Sequence, residues 1–156
     1  MNKKIVVISI LLISSVFFTS FSAQAITFED ENSPIIIDIK DAYYCNADNG
    51  LEENDIVVNF DLYVKATYIL YFELYFRLIL PSGNSYIYGY GVLTIEDYLN
   101  GRFYFYNHAT ESGWYTVEIV GIIYQQPIAI GVDSYSFDPP GETEGSEPLG
   151  NHLQFG

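Results

Sequence analysis

From residue 35 onward the chain is written largely as alternation between apolar and polar positions. In the stretch from Asp55 to Lys65, Ile56, Val58, Phe60, Leu62 and Val64 fall on one side, and Asn59, Asp61, Tyr63 and Lys65 fall on the other. That is the period of a strand with one dry and one wet face. The stretch from Tyr68 to Leu80 is more strongly patterned. Leu70, Phe72, Leu74, Phe76, Leu78 and Leu80 make an unbroken apolar row, and Tyr71, Glu73, Tyr75 and Arg77 lie between them. Burying each member of that row stabilises the fold by roughly 1.5–3 kcal/mol. A slip of one residue would expose all of them, so the register is firmly set.

Further strands are predicted over Ile35–Tyr44, Tyr86–Ile95, Arg102–Asn107, Gly113–Tyr124 and Ile128–Phe137, and no window has helical spacing. Leu80-Pro81-Ser82-Gly83 has the residues of a type I turn between the third strand, Tyr68–Leu80, and the fourth, Tyr86–Ile95. Gly89 and Gly91 inside the fourth strand predict a bulge, a bend, or room for a neighbouring aromatic ring. About seven short strands without a helix define an all-β, antiparallel two-sheet β-sandwich, with a small closed barrel as its rival.

The two ends differ from this middle. Lys3 and Lys4, an apolar run from Ile5 to Phe18 broken only by serines, and Ala23-Gln24-Ala25 read as a signal peptide over residues 1–25, helical in its apolar part. The sandwich domain then occupies 26–137. Residues 138–156, rich in Pro, Gly and Glu, read as a disordered acidic tail with no second apolar span.

Charge narrows the partners. The whole chain carries −14, and losing Lys3 and Lys4 with the leader takes it to −16. A field of that sign repels phosphate backbones, so nucleic acid and anionic lipid are poor partners. Divalent cations, basic proteins and neutral sugars remain. With Cys45 as the single cysteine, the domain is held by its core and not by an internal disulfide.

Glu111-Ser112-Gly113-Trp114-Tyr115-Thr116-Val117 resembles the acidic-x-Gly-x-Tyr-x-Cys entry to strand F of immunoglobulin-like domains, the tyrosine corner, with Val117 where the second cysteine would stand. The third strand also lacks the core tryptophan of antibody domains. The chain therefore resembles the disulfide-free immunoglobulin-like or fibronectin III-like modules of prokaryotic secreted and cell-surface proteins. The resemblance implies a spacer, an adhesive unit or a ligand platform, and a fold alone does not choose among these.

Catalysis has little support in the residues. There is no Gly-x-Ser-x-Gly elbow, and His108 and His152 have no partners at triad or zinc spacing. The loop Asn46–Asp55 gathers oxygen ligands around Gly50, outside the EF-hand register. Asp48, Glu52, Glu53 and Asp55 are candidate calcium ligands there, against the plainer reading of a solvated turn. The tyrosines carry the sharper idea. Tyr71 and Tyr75 share one face of the third strand, and Tyr86, Tyr88 and Tyr90 share one face of the fourth. If the two strands form a hairpin that brings these faces together around Glu73 and Arg77, they form an aromatic platform for a protein or a glycan; the plain alternative is cross-strand pairing. The expected function is a secreted, non-catalytic module acting by protein contact or adhesion at or outside the cell surface. The alternatives are a carbohydrate-binding module and, last, a small hydrolase.

Overall fold

The computed structural model describes residues 6–8, 34–47, 54–65, 69–125, 127–138 and 148–156. Its strands are β1 (Val6–Ile8), β2 (Ile35–Cys45), β3 (Asp55–Val64), β4 (Leu70–Ile79), β5 (Ser85–Thr94), β6 (Tyr98–Tyr106), β7 (Tyr115–Ile123), β8 (Ala129–Phe137) and β9 (Gly150–Phe155). They form two antiparallel sheets, in the orders β1-β5-β4-β7-β8 and β2-β3-β6-β9. No helix occurs among the described residues.

The alternating rows become the interior. All six apolar residues from Leu70 to Leu80 are at most 4% exposed, and Ile56, Val58, Phe60 and Leu62 of the other sheet are fully enclosed. The two layers meet in an aromatic contact. The Phe76 ring of β4 stacks on Phe103 of β6, with centroids 4.0 Å apart and planes 8° from parallel, and Phe60 of β3 tilts against Phe76 at 5.5 Å. Gly101 is required beside them, because a Cβ there would run into the Phe60 ring.

The first-strand pattern changes phase, and β2 shows why. Ile35, Ile37 and Ile39 point inward, and after a break in register at Lys40 the buried residue is Ala42. One extra residue in a strand reverses which face follows it, which is the effect of a β-bulge.

The corner before β7 is tied down by side chains. The Tyr115 hydroxyl donates to the Glu111 carbonyl and accepts from the Glu111 amide, both at 2.7 Å, from a ring that is wholly buried. The Glu111 carboxylate accepts from the Ser82 amide and hydroxyl, both at 2.7 Å, and so clamps the β4–β5 turn to the β6–β7 loop. In that turn Gly83 donates to the Leu80 carbonyl at 2.8 Å and takes φ +87°, the left-handed region glycine enters without a Cβ penalty.

Two expectations about the ends are corrected. Val6–Ile8, placed in a signal helix by the reading above, are extended and pair with Gly91–Leu93. Val-Val-Ile is a β-branched run, and the outer edge of β5 offers it unpaired backbone groups. The other residues of the 1–25 stretch lie outside the described residues. Within the expected disordered tail, 138–156, Gly150–Phe155 forms β9 on the free edge of β6, and residues 139–147 lie outside the described residues. The tail's composition is poor in apolar residues, but Leu153 is buried, and Tyr90 of β5 donates to the Asn151 side chain across the open side of the two sheets. The opposite side is closed by β2 and β8, where the Ile39 amide donates to Asp133 at 2.7 Å.

Ending the chain after Glu147 would remove the β6–β9 ladder, the Leu153 plug and the Tyr90–Asn151 bond. The expected cost is about 2 kcal/mol or more, read as a lower urea midpoint. An unchanged midpoint would mean that β9 carries no stability.

Candidate functional site

The outer face of the β4 sheet holds part of the expected platform. Tyr71, Glu73, Tyr75 and Arg77 all point away from the core. Tyr86, Tyr88 and Tyr90 do not join them, because the ladder sets these three opposite Leu78, Phe76 and Leu74, on the inner face. Tyr90 is 7% exposed. The cause is the hairpin. A two-residue connection would pair Leu80 with Gly83 and set the three tyrosines on the outer face. Here the Leu80 amide donates to the Asn84 carbonyl at 2.9 Å, leaving a three-residue connection. That extra residue inverts the face presented by all of β5.

Across from the outer tyrosines stand the two glycines. Gly89 is paired with Tyr75 and Gly91 with Glu73, and a Cβ at either would press on a tyrosine ring, Tyr75 at 3.1 Å and the Tyr71 hydroxyl at 2.9 Å. Of the three expectations for these glycines, room for aromatic rings is the one seen. Glu73 is then enclosed by phenols. It accepts from Tyr75 at 2.5 Å, Tyr124 at 2.8 Å and Tyr71 at 3.1 Å. The bond from Tyr75, followed by those from Tyr124 and Tyr71, holds its carboxyl below the usual range. Arg77 pairs with Glu118 across the strand at 3.2 Å.

Around this cluster the face is apolar. Ile130 and Val132 of β8 are 52% and 53% exposed, Ile87 of β5 is 52% exposed, and Tyr124 is 50% exposed. The register sets Val132 beside Val120 and Ile130 beside Ile122, next to Tyr75 and Glu73. No reading of single strands brings Ile130 and Val132 to Tyr75; the β4-β7-β8 order does.

The outer face of the other sheet was not singled out in the sequence, and it is the more polar of the two. Tyr63 and Tyr98 pack at 5.1 Å, both more than 40% exposed. Tyr104 and Tyr106 lie with rings 12° from parallel and centroids 5.8 Å apart, and His152 of β9 stands 6.0 Å from Tyr104. Between the two pairs runs a network. Tyr98 and Asn100 donate to Asp61 at 2.7 and 2.9 Å, Arg102 donates to Asn59 at 2.8 Å, and Asn59 donates to Asp41 at 2.6 Å. The Asn100 bond first, then those from Tyr98 and Lys40, holds the Asp61 carboxyl below its usual range. The signal that could have found this face was the run Tyr98, Asn100, Arg102, Tyr104, Tyr106, whose alternation places all five together.

In the candidate calcium loop, Asp48, Glu52 and Glu53 lie outside the described residues. Asp55 is fully buried, and its two oxygens accept the amides of Ala47 and Asn107 at 2.7 and 2.8 Å, which fastens the loop after β6 to the start of β3. Among the described residues no group of three or more His, Cys, Asp or Glu side chains is placed to hold a metal ion.

Set beside known proteins, the chain matches no family model, no curated protein and no solved structure.

His108 is a core fixture. It has no exposed surface. Its Nδ1 lies 2.7 Å from the Tyr106 carbonyl, which can only accept, so Nδ1 carries the proton. Nε2 then accepts from the Tyr88 hydroxyl at 2.6 Å. Burial pushes its pKa down from 6.5 to about 4. The folded state thus holds a neutral ring that the unfolded chain protonates below pH 6.5. Stability from this site is full above that pH and falls as the pH drops toward 4, by about 3 kcal/mol in all. Urea unfolding between pH 7 and 4.5 should show this slope, and His108→Asn should lose it. The same slope in both proteins would assign it elsewhere.

Proposed function

We propose that this chain is a non-catalytic, exported module of the immunoglobulin-like or fibronectin III-like kind, working at or outside the cell surface by protein contact. Three features support the kinship. The order β5-β4-β7-β8 corresponds to a GFC sheet with an added C′ strand. The order β2-β3-β6-β9 corresponds to A-B-E with the C-terminal strand in the place of D. Tyr115 makes its corner bond to Glu111 at the entry of the strand in the F position. Export is supported by the charged, apolar and small-residue succession of residues 1–25.

The observation that carries the contact reading is the apolar outer face of β4, β7 and β8. Ile130 and Val132 are more than half exposed beside Val120, Ile122 and the tyrosines that enclose Glu73. That carboxylate receives three phenolic bonds and Glu118 on the same face pairs with Arg77, so both acids are already met by the protein. An apolar centre carrying amphipathic tyrosines is the make-up of a protein-binding surface. A glycan reading of these particular tyrosines is weakened by the inward turn of Tyr86, Tyr88 and Tyr90.

The test uses the labelled chain on cells of its own source. Saturable binding that is abolished by protease treatment of the cells is expected. Ile130→Lys with Val132→Lys should weaken it at least tenfold, with a melting temperature close to the parent's because both side chains are exposed. Binding that survives the double substitution unchanged would overturn the proposal.

A further inference from the structure

A second surface, on the other sheet and independent of the one just described, has a different chemistry. Along β6, Tyr98, Asn100, Arg102, Tyr104 and Tyr106 all present to the outer face. Tyr98 and Tyr104 are six residues apart on one strand, a span of about 20 Å. Each is half of an aromatic pair, with Tyr63 at one end and Tyr106 at the other. The ground between them is a hydrogen-bonding belt, Asn100 and Arg102 in front of Asp61, Asn59 and Asp41.

This is the inverse of a protein-contact patch, where charged residues are depleted at the centre and polar groups form the rim. Here the polar groups are central and the rings are terminal. A pyranose ring has an apolar C–H face, which lies flat on an aromatic ring, and an equatorial rim of hydroxyls, which calls for paired donors and acceptors. A chain of such units needs both kinds of contact in alternation along a straight line, and a strand supplies the line. The belt is also held in place before any ligand arrives. Asp61 is fixed by Tyr98 and Asn100, and Arg102 is fixed through Nε by Asn59. A guanidinium has five N–H donors, so Arg102 keeps donors to offer. Groups already ordered lose less conformational freedom on binding. The charge of −14 sets the class of sugar, because uronates and sulfated chains would be repelled.

We propose that the outer face of β6 is a binding track for a neutral polysaccharide, laid along the strand with rings on Tyr98 and Tyr104 and its hydroxyls on Asn100 and Arg102. The experiment is titration calorimetry of the full chain with cello-, chito-, xylo- and manno-oligosaccharides, each as dimer and hexamer. At least one series should bind saturably, its hexamer at least tenfold tighter than its dimer, since only the longer chain reaches both aromatic pairs. Tyr98→Ala and Tyr104→Ala should each weaken the hexamer about tenfold, equivalent to about 1.4 kcal/mol. Arg102→Gln, at an exposed position, should do the same if an alanine variant fails to fold. Ile130→Lys with Val132→Lys, on the opposite sheet, should leave glycan binding intact, which separates this result from the protein-contact test. No saturable binding in any series, equal affinity for dimer and hexamer, or undiminished binding by the Tyr98, Tyr104 and Arg102 variants would overturn the proposal.

Discussion

Everything in this fold depends on two sheets meeting through one layer of rings. Phe76 stacked on Phe103, with Phe60 tilted against the pair, joins β4 to β6 and β3 at the centre of the molecule. Because side chains alternate along a strand, fixing which face of β4 meets β6 also fixes which face of every paired strand looks outward. Gly101 leaves space for the Phe60 ring, and Gly121 leaves space for Ile35 in the same interior. No disulfide within the chain shares the task, since Cys45 is its single cysteine.

The two outer faces follow from that inner one and differ in kind. The face of β4, β7 and β8 is apolar around a carboxylate that three tyrosines enclose. The face of β3, β6 and β9 is polar between aromatic pairs. Both proposed contacts use the open outer face of a sheet, and neither needs a cleft. The open sides are closed by separate means, with Asp133 on the Ile39 amide at one and Asn151 receiving Tyr90 at the other. The second closure gives the chain's last strand a structural part in holding the sandwich shut.

Much of this was legible from alternation alone. Most strand positions, the inward row from Leu70 to Leu80 and the Leu80–Gly83 turn follow from local residue order, and a ring-sized space was one of three readings for the strand glycines. What failed did so where one residue changes a phase. Pro81-Ser82-Gly83 connects β4 to β5 with an odd number of residues, and this sends Tyr86, Tyr88 and Tyr90 into the interior. β9 was hidden by composition, because a strand on a sheet edge needs backbone pairing and one buried Leu153 more than it needs an apolar sequence. The polar face of β6 was written in plain alternation from Tyr98 to Tyr106. The strand expected there began at Arg102, which left Tyr98 and Asn100 outside it, and sequence order does not bring together the neighbours from β2, β3 and β9 that complete the face.

The contact between the sheets is open to direct measurement. A double-mutant cycle on Phe76→Leu and Phe103→Leu, read by urea unfolding, isolates the energy the two rings share. Stacked across the core, they should couple by about 0.5–1.5 kcal/mol. Losses that simply add, to within about 0.3 kcal/mol, would mean that these rings do not touch and that the two sheets are not joined in this way.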